Sequence, residues 1–173
     1  MKTIIVYNSH TGFTKRYAEW IAEETDAALT SLKDAKSMDL SAYDTIVFGG
    51  WAMGGTINKL EWFKENMSKW EGKKLIAFCV GANPAENPKA LEAVLANFTE
   101  EDKEKVSVFY CPGGFAYDKM AFGYKLMMKM FRAMIKNKKD KTEEDIEMEK
   151  MIATSYDISD KKYITPIVEC IRG

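Results

Sequence analysis

Short apolar runs alternate along the chain with segments in which apolar residues recur every three or four positions. Four of the runs are continuous and rich in β-branched or aromatic residues, and they cover 3–7, 45–49, 74–80 and 106–110. A fifth and weaker run covers 27–32. Continuous runs of this length are typical of strands that are buried on both faces, as in a parallel sheet. The pattern therefore predicts five parallel strands.

Helical spacing of apolar residues predicts helices between these strands, over 14–25, 57–70 and 87–98. The last of them begins at Asn87 and Pro88, a typical N-cap and first-turn pair. Strands that alternate with helices form right-handed βαβ units with helices on both faces of the sheet. The strand count and spacing predict an α/β, doubly wound sandwich of the flavodoxin type, with a five-stranded parallel sheet in the order 2-1-3-4-5. No repeat or linker divides the chain, so a single domain is predicted over 1–173.

Composition and charge narrow the class of protein. The 173 residues are 46% hydrophobic and carry a formal net charge of −1, which is typical of a compact globular chain. The first residues lack the apolar region of a signal peptide, and no run approaches the roughly 20 apolar residues that cross a bilayer. Cys79, Cys111 and Cys170 have unrelated spacings and are expected to be reduced thiols of a cytoplasmic protein. With His10 as the lone histidine, no metal site is predicted.

The first predicted strand ends in a corner rich in hydroxyl residues, with the sequence NSHTGFT. In an open α/β sheet, ligands bind beyond the carboxyl ends of the strands. Ser9, Thr11 and Thr14 offer hydroxyl donors, and Gly12 allows close approach to a helix N-terminus whose unpaired N–H groups favour an anion. Neither GxxxxGK[ST] nor GxGxxG is present, so a monophosphate is favoured over a triphosphate or a dinucleotide. The alternative is a hydroxyl-rich cap that only starts the helix.

Glycine-rich corners also follow the later strands. The corner FGGWAMGGT, 48–56, presents Trp51 and Met53 for stacking or edge contact with a planar ring, and the alternative places Trp51 in the core. VGANPAENP, 80–88, and CPGGFAYD, 111–118, follow the next two strands. The corners of such a sheet meet at one edge, and the simplest ligand with both a phosphate and a planar ring is FMN.

The Ser-x-Thr-Gly-x-Thr pattern at 9–14, directly after the first strand, resembles the phosphate loop of the flavodoxin family. With the glycine-rich third-strand corner, the resemblance covers at least 1–110. It implies FMN as the cofactor, with its phosphate on 9–14 and its isoalloxazine ring between 50–55 and 81–84. The predicted cofactor-binding residues are Ser9, His10, Thr11, Gly12, Phe13, Thr14, Trp51, Ala52, Met53, Gly54, Gly81, Ala82, Asn83 and Phe115.

A segment before the final helix, 113–138, is similar to the flavodoxin-like, menaquinone-dependent protoporphyrinogen dehydrogenases. That resemblance implies an FMN oxidoreductase that takes electrons from a planar, hydrophobic, protoporphyrinogen-like donor and passes them to a quinone or a protein. Trp51, Phe115 and Tyr117 are candidates to line the open edge of the flavin, and no catalytic side chain is predicted because the cofactor carries the redox chemistry. The alternatives are a non-enzymatic electron carrier with an acidic rim and a domain that has lost its cofactor.

Residues 119–139 contain seven basic side chains and no acidic one, and they predict an extra basic helical segment at about 118–140. At 100° per residue, Lys125, Lys129, Arg132 and Lys136 fall on one stripe. The apolar residues opposite this stripe are Met120, Tyr124, Met127, Met130, Phe131 and Met134. Three interpretations are open: a solvated face over a packed one, peripheral contact with a membrane at its inner face or with a quinone, and an acidic protein partner. Nucleic acid is not a predicted partner, because no aromatic stacking platform accompanies the charges.

Overall fold

The computed structural model describes all 173 residues, which form two compact units. The first unit comprises Met1–Gly113 and Ile158–Gly173, and the second comprises Gly114–Asp157. The prediction of one domain over the whole chain stays a prediction. No helix combines the length and the apolar character needed to cross a membrane.

The first unit contains the predicted parallel sheet. Its strands are β1 (Thr3–Tyr7), β2 (Ala28–Ser31), β3 (Thr45–Met53), β4 (Thr56–Ile57), β5 (Lys74–Gly81) and β6 (Val106–Pro112). Five of them are parallel in the order β2-β1-β3-β5-β6, and β4 pairs antiparallel with the end of β3. The predicted α/β fold and its strand order 2-1-3-4-5 are confirmed.

Helices cover both faces of this sheet. They are α1 (Phe13–Thr25), α2 (Leu32–Ala35), α3 (Leu60–Asn66), α4 (Pro88–Leu95), α5 (Glu100–Lys105) and, after the second unit, α8 (Thr165–Arg172). Short 3-10 helices cover Met67–Trp70 and Lys161–Ile164. Asn87 caps α4 as predicted, because its side-chain oxygen accepts a hydrogen bond from the Lys89 N–H at 3.1 Å.

Alternate residues of the central strands enter two separate cores, which explains why the runs are continuously apolar. On one face, Ile4 and Phe48 pack with Phe63 and Trp70 of the segment that follows β4. On the other face, the core is completed by α1 and α8, and its residues include Ile5, Val47, Phe78, Ile21 and Ile167. The sheet is therefore packed between two layers of helices, and this packing positions the corners at the carboxyl ends of its strands.

Two differences from the sequence prediction lie within residues 50–70. Residues 50–53, predicted as part of a loop, continue β3 into a hairpin with β4. The helix predicted over 57–70 is divided into Leu60–Asn66 and a 3-10 turn, Met67–Trp70. The hairpin explains the later start of the helix, because β4 takes up Ile57, the first residue of the predicted helix.

Tyr17 of α1 connects elements that are distant in the sequence. Its hydroxyl donates a hydrogen bond to the Pro112 carbonyl at 2.5 Å and accepts one from the Asp160 N–H at 3.2 Å. Burial raises the pKa of Tyr17, so the phenol remains neutral and continues to donate. This hydroxyl joins α1, the end of β6 and the segment before α8.

Replacing Tyr17 with phenylalanine is expected to lower the free energy of unfolding by about 1 to 3 kcal/mol, because Pro112 and Asp160 lose a buried partner. Urea denaturation followed by circular dichroism measures the change. Tyr43→Phe is the matched control, since Tyr43 also packs against the core but its hydroxyl makes no described hydrogen bond. Equal stability of Tyr17→Phe and the wild type would contradict the assigned role.

The second unit is a small hairpin covered by two helices. It contains β7 (Gly114–Phe115), paired antiparallel with β8 (Tyr156–Asp157), a 3-10 turn (Tyr117–Lys119), α6 (Phe122–Asn137) and α7 (Glu143–Met151). Its core is centred on Phe115, Ile135 and Ile152. A capping box starts α7, in which Thr142 and Asp145 exchange side-chain to backbone hydrogen bonds. Hydrogen bonds that the Asp145 carboxylate accepts lower its pKa to about 2. The largest contribution is from Lys138, and the next is from Thr142.

Candidate functional site

The loop between β1 and α1 has an unsatisfied hydroxyl and an uncapped helix N-terminus. The N-cap residue of α1 is Gly12, whose φ of 102° lies in the left-handed region that glycine favours, and no side chain caps the helix. The Ser9 Oγ is buried and has no hydrogen-bond partner. The hydroxyl residues therefore do not serve as a helix cap, and the alternative interpretation of this corner is wrong. A buried donor and open backbone N–H groups suit an anionic ligand.

The other residues of this loop differ in what they offer. Thr14 is 1% exposed in the first turn of α1. The Phe13 ring packs against the core, so its backbone N–H is the group that remains for a ligand. Sequence reasoning missed Arg16, whose guanidinium carbon lies 5.5 Å from the Phe13 ring centroid and whose Nη1 donates to Ser159 at 2.6 Å. This residue places a fixed positive charge one turn into the helix.

The hairpin at the end of β3 holds Trp51 at the edge of the sheet. Its turn is formed by Gly54 and Gly55, with φ values of 57° and 84°, as a two-residue turn with positive φ at both central positions requires. The Trp51 ring stacks on His10 of the first loop, with centroids 5.5 Å apart and planes 28° apart. Trp51 is half-buried and belongs to neither core cluster. The alternative that placed Trp51 in the core is therefore wrong.

Three asparagines fix the hairpin against the first loop and against the turn that follows α4. Asn8 Nδ2 donates to Asn58 Oδ1 at 2.8 Å, and the Asn58 N–H donates to the Trp51 carbonyl at 2.9 Å. Asn97 donates to the Gly55 carbonyl at 3.0 Å and accepts from the Ile57 N–H at 3.2 Å. These positioning residues were not predicted, because each acts on a partner about 40 to 50 positions away and no local pattern marks them.

Hydrogen bonds from Tyr110 of β6 and from Gly113, which follows β6, hold the loop after β5. The Tyr110 hydroxyl donates to the Asn83 carbonyl at 2.7 Å, and the Gly113 N–H donates to the Gly81 carbonyl at 2.7 Å. A Cβ atom at Gly81 would lie 2.7 Å from the Tyr110 Oη, so a side chain at this position would displace the tyrosine. The three loops therefore end at the same edge of the sheet in defined conformations.

Comparison with protein families agrees with this fold. The model described as "Flavodoxin domain" matches residues 4–142, which is most of the chain. The chain belongs to the flavodoxin domain family. None of the curated proteins matches this flavodoxin-domain chain.

Solved structures resemble this flavodoxin-domain protein in fold. The flavodoxin, WrbA-like protein from Agrobacterium tumefaciens is 22% identical with a TM-score of 0.51, and the match covers 70% of this chain and 86% of that one. A flavoprotein in complex with FMN from Lactobacillus acidophilus is 20% identical with a TM-score of 0.47, covering 64% and 91%. A flavodoxin from the domain Archaea is 16% identical with a TM-score of 0.45, and the match covers both chains entirely. At these identities the likeness concerns the fold.

Four of the predicted cofactor-binding residues line a single cavity of about 90 Å³ between the hairpin, the end of β5 and α4. They are Ala52, Gly81, Ala82 and Asn83. This volume accommodates a few water molecules and not a three-ring flavin, so the ring of a cofactor would lie outside it. Cys79 also lines the cavity, and burial raises the pKa of its thiol to about 12, which keeps it neutral.

The predicted flavin contacts fall into two groups. Ser9 to Thr14, Trp51 to Gly54 and Gly81 to Asn83 all lie at the carboxyl ends of β1, β3 and β5 in the flavodoxin-like sheet. Phe115 and Tyr117 lie in the second unit, where the Arg132 guanidinium carbon is 5.5 Å and 4.8 Å from their ring centroids. Phe115 is buried there and packs with Ile135 and Ile152. Both groups stay predictions as cofactor contacts.

Proposed function

We propose that this flavodoxin-family protein binds FMN and works as an FMN-dependent oxidoreductase. The observation that carries the proposal is the buried, unpartnered Ser9 hydroxyl in the loop before an uncapped helix, next in sequence to His10, which stacks on Trp51. This combination offers an anion-binding group and an aromatic surface at one edge of the sheet. Family membership supports the same cofactor.

The loop at 9–14 is the proposed phosphate site. The Ser9 hydroxyl donates one hydrogen bond, and the open N–H groups of the first turn of α1 donate others. Gly12 adopts the left-handed φ of 102° that glycine favours, and nothing lies within 4 Å of a Cβ built at this position, so the space beside the turn is open for a ligand. Arg16 adds positive charge near the start of the helix. The phosphate is thus the part of FMN for which the residues present fit best.

Trp51, Met53 and the loop at 81–84 form the proposed ring site. Trp51 presents an aromatic face, and Met53 presents a polarisable thioether. When bound, FMN supplies the electron-transfer chemistry, and the protein orients the ring and excludes water. The hairpin anchors at Asn8, Asn58 and Asn97 keep Trp51 in place while this happens.

The electron donor that we propose is a planar hydrophobic molecule, protoporphyrinogen-like, and the proposed acceptor is a quinone or a protein. The charges beside the three loops support small-molecule chemistry over a carrier with an acidic rim. They are four basic and two acidic side chains, Lys15, Arg16, Lys59, Glu61, Glu86 and Lys89. An acidic rim is what docks basic redox partners, and these six residues that flank the loops in sequence do not form one. The protoporphyrinogen-like donor rests on the resemblance of residues 113–138 alone.

The test begins with the absorption spectrum of the purified protein, with and without added FMN. We expect flavin bands to shift on binding and FMN to raise the melting temperature, whereas riboflavin binds more weakly because it lacks the phosphate. The loaded protein is then mixed anaerobically with protoporphyrinogen and a water-soluble quinone. Oxidation of the donor together with reduction of the quinone is the expected result.

Two other results have distinct meanings. A protein that neither binds FMN nor is stabilised by it would overturn the cofactor assignment. A protein that binds FMN and exchanges electrons with other redox proteins, without turning over protoporphyrinogen or quinone, would overturn the oxidoreductase proposal and identify an electron carrier.

A further inference from the structure

Helix α6 of the second unit has an inner face that packs and an outer face that does not. The inner face contains Met128, Phe131 and Ile135, which pack with Phe115 and Ile152 in the core of the unit. The methionine face predicted from the sequence is therefore divided, since Met127, Met130 and Met134 point away from this core.

The outer face is a continuous apolar surface. Its residues and their exposed fractions are Phe122 83%, Leu126 50%, Met127 45%, Met130 67% and Met134 62%. Phe122, Leu126, Met130 and Met134 follow one another at intervals of four, so they lie along one side of the helix. The whole chain has ten exposed large hydrophobic residues, and five of them lie on this one helix. Clustering of this kind indicates an interaction surface.

The predicted basic stripe is also divided by the structure. Arg132 covers the rings of Phe115 and Tyr117 and donates to the Ile152 carbonyl, and the Lys125 Nζ lies 5.9 Å from the Tyr117 ring centroid. These two residues serve the packing of the unit. Lys129 and Lys136 are exposed and form no ion pair, and they lie along the edge of the outer apolar face.

The charges of the second unit are segregated. The segment 119–139 has no acidic residue, and its exposed ends contribute Lys119 and Lys139. Acidic residues are concentrated on α7, where Asp145 and Glu149 form ion pairs with Lys138 and Lys141. The apolar face of α6 is therefore bordered by unpaired positive charge.

We propose that α6 binds the surface of an anionic lipid bilayer. The helix lies parallel to the surface over roughly 24 Å, with Phe122, Leu126 and the outer methionines at the acyl boundary. Lys129 and Lys136, with the two terminal lysines, contact anionic headgroups. This surface site is independent of the flavin site and of its proposed chemistry.

A protein occupant fits these observations less well. A second copy of the chain would bring the same unpaired lysines together across the apolar face, and like charges oppose such contact. The outer face also offers long flexible side chains and no fixed polar group that could specify a partner. A fluid bilayer requires neither shape complementarity nor directed hydrogen bonds, only apolar area and charge.

The proposal is tested by flotation of the full chain with two kinds of vesicle, phosphatidylcholine alone and an equal mixture of phosphatidylcholine and phosphatidylglycerol. We expect the protein to bind the anionic vesicles, with an affinity that falls as salt is added. Its affinity for the neutral vesicles should be lower by about tenfold or more. Lys129→Glu combined with Lys136→Glu is expected to reduce partitioning onto anionic vesicles by about tenfold or more. The matched control is Lys33→Glu with Lys36→Glu, which makes the same charge change at exposed positions of the first unit and should not alter binding.

A second variant tests the apolar contribution. Met130→Gln with Met134→Gln should reduce binding to anionic vesicles about tenfold without lowering the melting temperature, because both side chains are mainly exposed. Binding of both α6 variants equal to that of the wild type would overturn the proposal. The proposal would also be overturned if the wild type does not bind vesicles but is a dimer by light scattering, and if Met130→Gln with Met134→Gln makes it a monomer.

Discussion

Replacing Ser9 with alanine is expected to weaken FMN binding by about 10- to 100-fold, while the ligand-free protein remains as stable as the wild type or becomes slightly more stable. A hydrogen bond to a charged group contributes roughly 1.5 to 3 kcal/mol, which corresponds to this loss of affinity. The Ser9 hydroxyl is buried without a partner, so its removal takes away no bond in the ligand-free state. Weaker FMN binding without a loss of stability in the ligand-free protein is therefore expected only if the Ser9 hydroxyl binds the ligand.

Thr45→Val provides the matched control for Ser9→Ala. The Thr45 Oγ1 is also buried without a partner, but Thr45 begins β3 at the opposite end of the sheet. Its replacement should be equally harmless to stability and should leave FMN affinity unchanged. Fluorescence titration with FMN and with riboflavin completes the design, because Ser9→Ala should reduce the preference for FMN over riboflavin. An unchanged preference would remove Ser9 from the phosphate site.

The fold could be predicted from the sequence because the strands are buried on both faces. Each of the apolar runs 3–7, 45–49, 74–80 and 106–110 became part of a strand of the sheet. Even the weaker run at 27–32 contains β2, although two of its four residues are exposed at the sheet edge. What the pattern did not predict is the β3–β4 hairpin, since a two-residue strand such as β4 is too short to show a periodicity.

The ends of the predicted strands gave the positions of the corners, but the sequence did not predict the geometry within them. Glycines marked where the chain turns, and the hydroxyl residues marked the first loop. The contacts of Asn8 with Asn58 and of Asn97 with Gly55 depend on tertiary structure, and so does the stacking of His10 on Trp51. Local sequence can therefore nominate a site, but long-range hydrogen bonds decide its geometry.

The helical period of the basic segment was also insufficient by itself. A wheel of 119–139 separates basic from apolar residues, but it does not show which part of the apolar arc is packed. The packed part of the helix is the part that contacts Phe115 of β7 and Tyr117 of the following turn. Arg132, Lys125 and Phe131 make these contacts. The exposed remainder of the helix carries the proposed membrane surface.

Trp51→Ala is expected to weaken the binding of FMN and of riboflavin by the same factor, about 10- to 100-fold, because stacking on an aromatic side chain contributes roughly 1 to 3 kcal/mol. Trp51→Phe should retain most of the affinity, since an aromatic face remains. Trp51 is half-buried and outside both core clusters, so the melting temperature should change little. Titration of each variant with both ligands measures the effect. A loss confined to FMN would contradict the assignment of Trp51 to the ring.

The double variant Ser9→Ala with Trp51→Ala separates independent contacts from coupled ones. If the phosphate and the ring are bound independently, the two losses of binding free energy add, and the two factors in affinity multiply. His10 lies between the two positions, next to Ser9 in sequence and stacked on Trp51 with a centroid distance of 5.5 Å. If this stack also orders the first loop, Trp51→Ala by itself already weakens the phosphate contact, and Ser9→Ala then has less left to remove. A double-variant loss smaller than the product of the single losses would therefore show that the His10–Trp51 stack also orders the phosphate loop.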